Sequence, residues 1–444
     1  MRWIRDEINA RTARAWAGGE PAEDAELTLM VETPTGVLVR RIPNAWPLPS
    51  DVTQGQAAEE AVHEAAAIWG LPDFTYRGHQ IEVGQGTREL GDNLLIVGSV
   101  GVVVQVKSRT APSDDAARER RWVKKQAGSA LSQARGTIRR LRSQPVDLTN
   151  ARGRTVRVDG ANLRWISVVV IDHPDPPAVA PAPFDSQAPA VVILRRDWNF
   201  LFELLKSTHA VATYLERVVG DPVELGREPV RYYELAMADH QAEPDKIDPA
   251  LVGPSGLTIA TPLLPLAVPP EDARPHLLVR SIFEDIAITP APDVDEGNRL
   301  AVLAELDRLP VTYRAEIGHF LEDGLAAVVD VGPEATEWRL RRFVGGLERV
   351  HLAFGVCSQF SDMHRDLFSW WVQLRHYDHA QVRGAADDLT TVGVLLSPRR
   401  DGVRAFDTTM IAVRGALDFS DEELRALREA WPNPPTTEGV ETSD

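Results

Sequence analysis

A single cysteine, Cys357, stands in the 444 residues. An intrachain disulfide framework and a thiolate zinc site are therefore excluded, and a reducing compartment is expected. Long apolar runs are also missing. The longest, Leu94 to Val106, covers 13 residues, is interrupted by glycines and carries Gln105, whereas a membrane-spanning helix needs about 20. The opening MRWIRDEINARTARAWAGGE mixes acids and bases and holds no apolar core of the secretory kind, so a cytoplasmic protein without a membrane partner is expected. No glycine-rich phosphate loop, G-x-S-x-G elbow or helicase motif occurs, so ATP dependence is not expected.

What is present is ordinary for a globular chain: 43% apolar and 25% charged residues. The length implies two or three domains, because single cores rarely exceed about 250–300 residues. A net charge of −17 argues in bulk against nucleic acid, but the sum hides its distribution. Residues 104–165 hold 15 Lys and Arg against 5 Asp and Glu, a local +10, leaving −27 for the remainder. Arg118, Arg120, Arg121, Lys124, Lys125, Arg135, Arg139, Arg140 and Arg142 crowd one stretch of it. Such a stripe suits phosphate contacts, a merely solvated helix face being the plain alternative.

Hydrophobic periodicity orders the chain. An N-terminal β-hairpin extension is predicted within 1–54, from the alternation at 25–42 around Pro-Thr-Gly. A helix over about 56–69 carries Ala58, Ala61, Val62, Ala65 and Ile68 as one stripe. Strands follow near 79–84, 92–97 and 100–107, then a long helix over 115–142, strands at 163–171 and 190–195, and a helix over 197–219. This order predicts an α/β domain over 55–225, a Pro-rich linker region over 226–284, a C-terminal α+β domain over 285–432 and a disordered tail at 433–444. In the C-terminal part, helices are expected near 296–308, 310–327, 335–346 and 361–377, with strands at 350–357, 390–397 and 403–413. A capping-box helix is expected after Ser420.

The segment with chemistry is ELGDNLLIVGSVGVVVQVKSR, residues 89–109. Gly98-Ser99 suits a type II′ turn, which pairs Val97 with Val100, Leu95 with Val102 and Asp92 with Gln105. Lys107 follows Gln105 by two and shares its face. Three polar side chains thus converge at one end of an otherwise apolar hairpin. That arrangement suits metal-assisted phosphodiester hydrolysis: Asp92 as a hard oxygen ligand to Mg²⁺ or Mn²⁺, Gln105 as a second oxygen, and Lys107 to orient or deprotonate water. Glu64, at the edge of the preceding helix stripe with Glu60 one turn away, is a further candidate ligand. A polar strand end without chemistry is the alternative.

Asp92, Gln105-Val106-Lys107 after 12 intervening residues, and Glu64 in the helix ahead of the sheet resemble the PD-(D/E)xK nuclease superfamily, and within it the Mrr-like restriction endonucleases with Q-x-K. The resemblance covers about residues 55–220. It implies a restriction-endonuclease-like core, a mixed sheet flanked by helices, and Mg²⁺- or Mn²⁺-dependent DNA cleavage in defence against foreign DNA such as phage, or in DNA repair. It also places Gln126 and Gln133 of the long helix near the site. Catalytic residues are then expected to be Asp92, Gln105, Lys107 and Glu64, with Asp92, Gln105 and Glu64 on the metal. DNA is expected to contact Lys124, Lys125, Arg135, Arg139, Arg140, Gln126 and Gln133. Gln105 departs from the acidic pattern, and a neutral amide is a weaker ligand than a carboxylate. A catalytically weak or inactive nuclease-fold module that binds DNA or a protein is the rival reading. The C-terminal domain is expected to serve target recognition, a protein partner or homo-oligomerisation. His364, His376 and His379 lack metal-binding spacing and are expected to be ordinary helix-surface histidines. Trp122 and Cys357 are expected to pack.

Overall fold

The computed structural model describes residues 25–33, 36–49, 51–78, 80–83, 86–89, 91–181, 190–241, 264–267, 269–289, 295–332, 334–345, 350–383, 389–399 and 405–431. The predicted tail at 433–444 lies outside these residues. The chain divides into two compact units: Met1–Gln241 with Leu264–Arg274 and Ala291–Thr312, and Ala242–Leu263 with Pro275–Pro290 and Tyr313–Asp444. Each is mixed α/β, with a sheet flanked by helices. Among the described residues no helix is long and apolar enough to cross a membrane.

The first unit opens on the expected hairpin, β1 (Ala25–Thr33) against β2 (Gly36–Pro43), antiparallel. Its main sheet has five strands. β3 (Thr75–Arg77), β6 (Asn93–Val97), β7 (Val100–Ser108), β10 (Arg164–Asp172) and β11 (Ala190–Leu194) stand in the order β11-β10-β7-β6-β3. β7, β10 and β11 are mutually parallel, and β6 runs against both its neighbours. Two small antiparallel hairpins lie aside, β4 (Gln80–Val83) with β5 (Gly86–Glu89), and β8 (Val146–Thr149) with β9 (Thr155–Val158).

β6 and β7 pair in the register the turn predicts: Val97 with Val100, Leu95 with Val102 and Asn93 with Val104. Gly98 takes φ +55°, a left-handed conformation that glycine adopts without a Cβ penalty. Opposite faces of the sheet carry different helices. Leu94, Val103, Val169, Ile171 and Val192 pack with Val123, Ala127, Ala130, Leu131, Ala134 and Leu141 of α2 (Ala116–Ser143). The other face takes α1 (Gln54–Trp69), which buries Ala58, Ala61, Val62 and Ala65 and hydrogen-bonds Asn93. α3 (Arg195–Leu205) lies on α1, and Trp198 Nε1 donates to Val62 O at 3.0 Å.

The helix expected over 197–219 is two helices. Lys206 takes φ +51° and ends α3, and the Ser207 hydroxyl accepts from Ala210 N at 3.0 Å to start α4 (Thr208–Val218). A serine able to cap a new helix outweighs unbroken apolar periodicity here. The region read as a linker contains α5 (Glu228–Gln241) and most of α6 (Ala273–Ile288). α7 (Glu296–Asp307), read as part of the C-terminal domain, belongs to the first unit. Ser207 Oγ donates to Asp307 O at 2.7 Å, and His209 N to Asp307 Oδ2 at 2.8 Å.

The second unit carries α8 (Val311–Val328) and a four-stranded sheet in sequential order. Its strands are β12 (Trp338–Gly345), β13 (Val350–Cys357), β14 (Thr390–Pro398) and β15 (Phe406–Arg414). β13 and β14 are parallel and joined through α9 (Asp362–Arg383), while both outer pairs are antiparallel. The helix expected over 335–346 is therefore largely strand β12. Trp338 and Leu340 pack into the cluster holding Phe368, Trp371 and Val372, while Arg339 and Arg341 bond carboxylates. That is period-two alternation, which pairing with β13 satisfies and a lone helix would not. α10 (Asp421–Ala430) starts with the expected Ser420–Glu423 capping box.

Candidate active site at the end of the central hairpin

Asp92 sits one residue before β6, where the β6–β7 ladder opens. Its main-chain O still follows the β3–β6 register, accepting from Gly78 N at 3.2 Å, but its N donates to Val104 O at 3.3 Å, one residue short of the Gln105 partner that the β6–β7 register predicts. Its carboxylate turns across the strand end, and Oδ2 accepts the main-chain N–H of Val106 at 2.5 Å. Burial raises the Asp92 carboxyl above its ordinary value, while the Val106 amide and the charge of Lys107 pull the other way.

Gln105 is 3% exposed, and its amide makes no hydrogen bond among the described residues. Neighbouring Gly91 takes φ +72°, and a β-carbon there would lie 3.1 Å from Gln105 Nε2, so the glycine leaves room for that amide. Lys107, two residues on, is half-buried, and its ammonium makes no hydrogen bond or ion pair among the described residues. By strand alternation Val103, Gln105 and Lys107 share the face covered by α2, as do Val169 and Ile171 beside Gln105 and Lys107 in the parallel register. The structure therefore brings together one carboxylate, one buried amide and one cation. Asp92 Oδ1 and the Gln105 carbonyl oxygen are hard donors of the kind Mg²⁺ takes, with water and substrate phosphate completing its shell. Among the described residues no group of three or more His, Cys, Asp or Glu is arranged to hold a metal ion.

Glu64 stands elsewhere. It is buried in α1, which covers the opposite face of the sheet, and it hydrogen-bonds Glu60. Arg77 holds Glu60 with two bonds of 2.7 Å. On the same face His63 Nδ1 meets Asn93 Oδ1 at 2.7 Å. These contacts tie Glu64 into a carboxylate–arginine cluster on the α1 side, away from the face of Gln105 and Lys107.

Two further clusters lie at the same end of the sheet. Asp172, at the end of β10, accepts from Arg195 Nε at 2.7 Å, Ser108 Oγ at 2.7 Å and Gln54 Nε2 at 3.2 Å. Arg195 also donates to Trp46 O at 2.7 Å. On the α2 face, Glu119 accepts from Arg109 Nε at 2.9 Å and Nη2 at 2.7 Å, from Ser113 N at 2.9 Å and from His173 Nε2 at 3.0 Å. Asp175 N donates to His173 Nδ1, which puts the ring proton on Nε2. The Arg109 bonds, assisted by His173 and Ser113, hold the Glu119 carboxyl down at about 2. The Arg109 guanidinium lies over Trp122, 5.3 Å from the ring centroid. These residues were not legible in the sequence because the partners that complete each cluster, His173 for Glu119 and Gln54, Ser108 and Arg195 for Asp172, lie 23 to 118 residues away. The one available signal was an Asp-His pair closing an apolar strand.

α2 presents Arg118, Arg120, Arg121, Lys124, Lys125, Arg139 and Arg142 to solvent, with Arg135 and Arg140 half-buried. Gln126 is half-buried and Gln133 exposed. The loop arginines serve structure instead. Arg152 clasps the fully buried Asp73 (Nη2 to Oδ2 2.7 Å), and Arg154 reaches Glu296 at 3.2 Å. No family model matches the chain, and no curated protein or solved structure matches it.

Proposed function

We propose that the first unit is a restriction-endonuclease-like domain that hydrolyses DNA phosphodiester bonds with Mg²⁺ or Mn²⁺. The observation that carries this reading is the Asp92 carboxylate turned over the end of β7, on the Val106 amide and within reach of the Lys107 charge, with the Gln105 amide beside Gly91 on the face of Lys107. Asp92 and Gln105 would hold the ion, which supplies charge neutralisation at the scissile phosphate. Lys107 orients the attacking water and offsets the charge that develops on the phosphate oxygens. The exposed lysines and arginines of α2 supply the sequence-independent phosphate contacts. Glu64 has no part in this version of the site, because Glu60 and the opposite face engage it. Defence against foreign DNA, or repair, is the setting that suits such an enzyme.

One observation favours a second reading, a nuclease-fold module that binds DNA without cutting it. Among the described residues no group of three or more His, Cys, Asp or Glu is arranged to hold a metal ion, and the ionisation of Asp92 is opposed by burial. Incubation of the chain with supercoiled plasmid, single-stranded DNA and RNA, each with Mg²⁺ or Mn²⁺, decides between them. Nicking that Asp92→Asn and Lys107→Ala abolish, with binding retained, supports the enzyme. Mobility shifts without cleavage under either metal support the binding module.

A further inference from the structure

Strand alternation continues past the end of β7. Gln105, Lys107 and Arg109 are all odd-numbered, and Arg109 still meets Glu119 and Trp122 of α2, the helix that covers the face of Gln105 and Lys107. The bases of Lys107 and Arg109 are separated by about 6.6 Å along an extended strand. Only two of the three nitrogens of the Arg109 guanidinium are engaged. Nε and Nη2 are on Glu119, and Nη1 makes no hydrogen bond among the described residues. The side chain retains 19% exposure. Its acid partner is 4% exposed and saturated, taking donors from Arg109, Ser113 and a histidine locked in one tautomer.

A strand-to-helix tie needs only one ion pair. Here four donors converge on one carboxylate and an indole backs the guanidinium, so a single rotamer of Arg109 is over-determined. We propose that Arg109 is a second phosphate-contacting residue of this site, with Nη1 donating to a phosphate oxygen of the bound strand. Glu119, His173 and Ser113 act as the positioning residues that hold it. The proposal rests on the nuclease reading above for the identity of its ligand, a phosphodiester backbone.

Binding of a fluorescein-labelled duplex oligonucleotide in Ca²⁺, followed by anisotropy between 50 and 200 mM salt (about the range over which such contacts weaken), tests it. Arg109→Lys is the decisive variant. Its single ammonium can keep the ion pair to Glu119 but has no second arm for the phosphate. The expected result is about a tenfold loss of affinity and a fall of about one in the slope of log affinity against log salt. The melting temperature should stay close to wild type. Glu119→Gln should lower affinity with the slope unchanged, because Arg109 keeps its charge and loses its fixed aim. Wild-type affinity and slope in a folded Arg109→Lys would overturn the proposal. A wild-type chain that neither binds nor cuts nucleic acid removes the nuclease reading and the Arg109 role together. A wild-type chain that cuts beside an unaffected Arg109→Lys removes the Arg109 role alone.

Discussion

Asp92 Oδ2 accepts the main-chain N–H of Val106 at 2.5 Å, across the open end of the β6–β7 ladder. One carboxylate thus closes the hairpin through Oδ2 and leaves Oδ1 without a hydrogen bond among the described residues, so structure and chemistry can be separated by substitution. Asp92→Ala strands the amide of Val106, a residue only 4% exposed, and should destabilise the first unit by about 1–3 kcal/mol. Asp92→Asn keeps an acceptor there and should unfold near the wild-type denaturant midpoint. Both should lose more than about 100-fold in plasmid nicking, since loss of a mere supporting partner already reaches that figure. Equal loss of stability in the two variants would contradict the assignment of Oδ2 to Val106.

The same carboxyl sets a pH dependence. Its value is raised in the fold by burial, so the folded protein holds this proton more readily than the unfolded chain does. The contribution of Asp92 to stability is therefore greatest at acid pH and declines as pH rises through its folded-state value. Metal binding needs the ionised form and releases that proton. Mg²⁺ affinity, measured by calorimetry in two buffers of different ionisation enthalpy, should rise with pH and show net proton release. Asp92→Asn should show neither.

In the second unit, a chain of hydrogen bonds fixes two histidine tautomers. His376 Nε2 lies 2.7 Å from Gly415 O and must be the donor, so His376 Nδ1 accepts the Thr391 hydroxyl proton at 2.8 Å. Thr391 Oγ1 can then only accept from His351 Nδ1 at 2.9 Å, which leaves His351 Nε2 a bare lone pair, fully buried and without a hydrogen-bond partner among the described residues. Burial first, then His379, Arg342, His376 and Arg375 around it, push His351 well below its ordinary 6.5. Asp378, on Arg375, is the nearby counter-charge. Because the folded-state value is depressed, stability of this unit is present above pH 6.5 and is lost progressively as pH falls below it. Nitrogen-15 spectra of histidine-labelled protein should show the Nδ1–H form for His351 and Nε2–H for His376. Thr391→Val should disrupt both and move the acid unfolding transition.

The hairpin register was legible in the sequence because a glycine turn and a run of valines leave one pairing that buries the apolar set. The extension of that register to Asp92 opposite Gln105 was not met: the ladder ends at Asn93 with Val104, and Asp92 N bonds Val104 O because its carboxylate turns onto the Val106 amide. The side of the sheet on which α1 packs was not legible. A helix stripe shows which residues face inward and says nothing of which sheet face receives them, so Glu64 was placed with a site that lies on the other face. Arg109, Glu119 and His173 escaped for a related reason: an arginine and a glutamate in a charge-rich stretch look solvated until a third element closes over them. β12 was read as a helix because its apolar residues fit both periods over so short a length, and only the partner strand β13 decides.

Close packing above the hairpin gives a stability test independent of function. A β-carbon on Gly101 would lie 2.5 Å from Trp165 Cζ3, and Trp165 is itself tied by Nε1 to Gly160 O at 2.8 Å. The indole cannot yield without losing that bond. Gly101→Ala should therefore destabilise the first unit by about 1–3 kcal/mol, and Gly101→Ala with Trp165→Phe should recover part of the loss. Urea unfolding of the three chains measures both effects.

Gln105→Glu asks most of the proposed site. The substitution keeps size and places a second carboxylate, at a position 3% exposed, at the end of the hairpin that holds the half-buried Asp92. Without metal, two acids in one confined site cannot both ionise cheaply, so one should titrate well above the ordinary range and the fold should weaken at neutral pH. With Mg²⁺ or Mn²⁺ the same pair becomes a stronger ligand set than carboxylate plus amide. The melting temperature of Gln105→Glu should accordingly lie below wild type in chelator and rise more steeply with added metal, and nicking should require less Mg²⁺ than the wild-type chain does. In the binding-module reading the outcome differs in kind. Metal would then restore no stability, because nothing at the end of the hairpin would hold the ion, and the variant would show only the cost of a second buried acid.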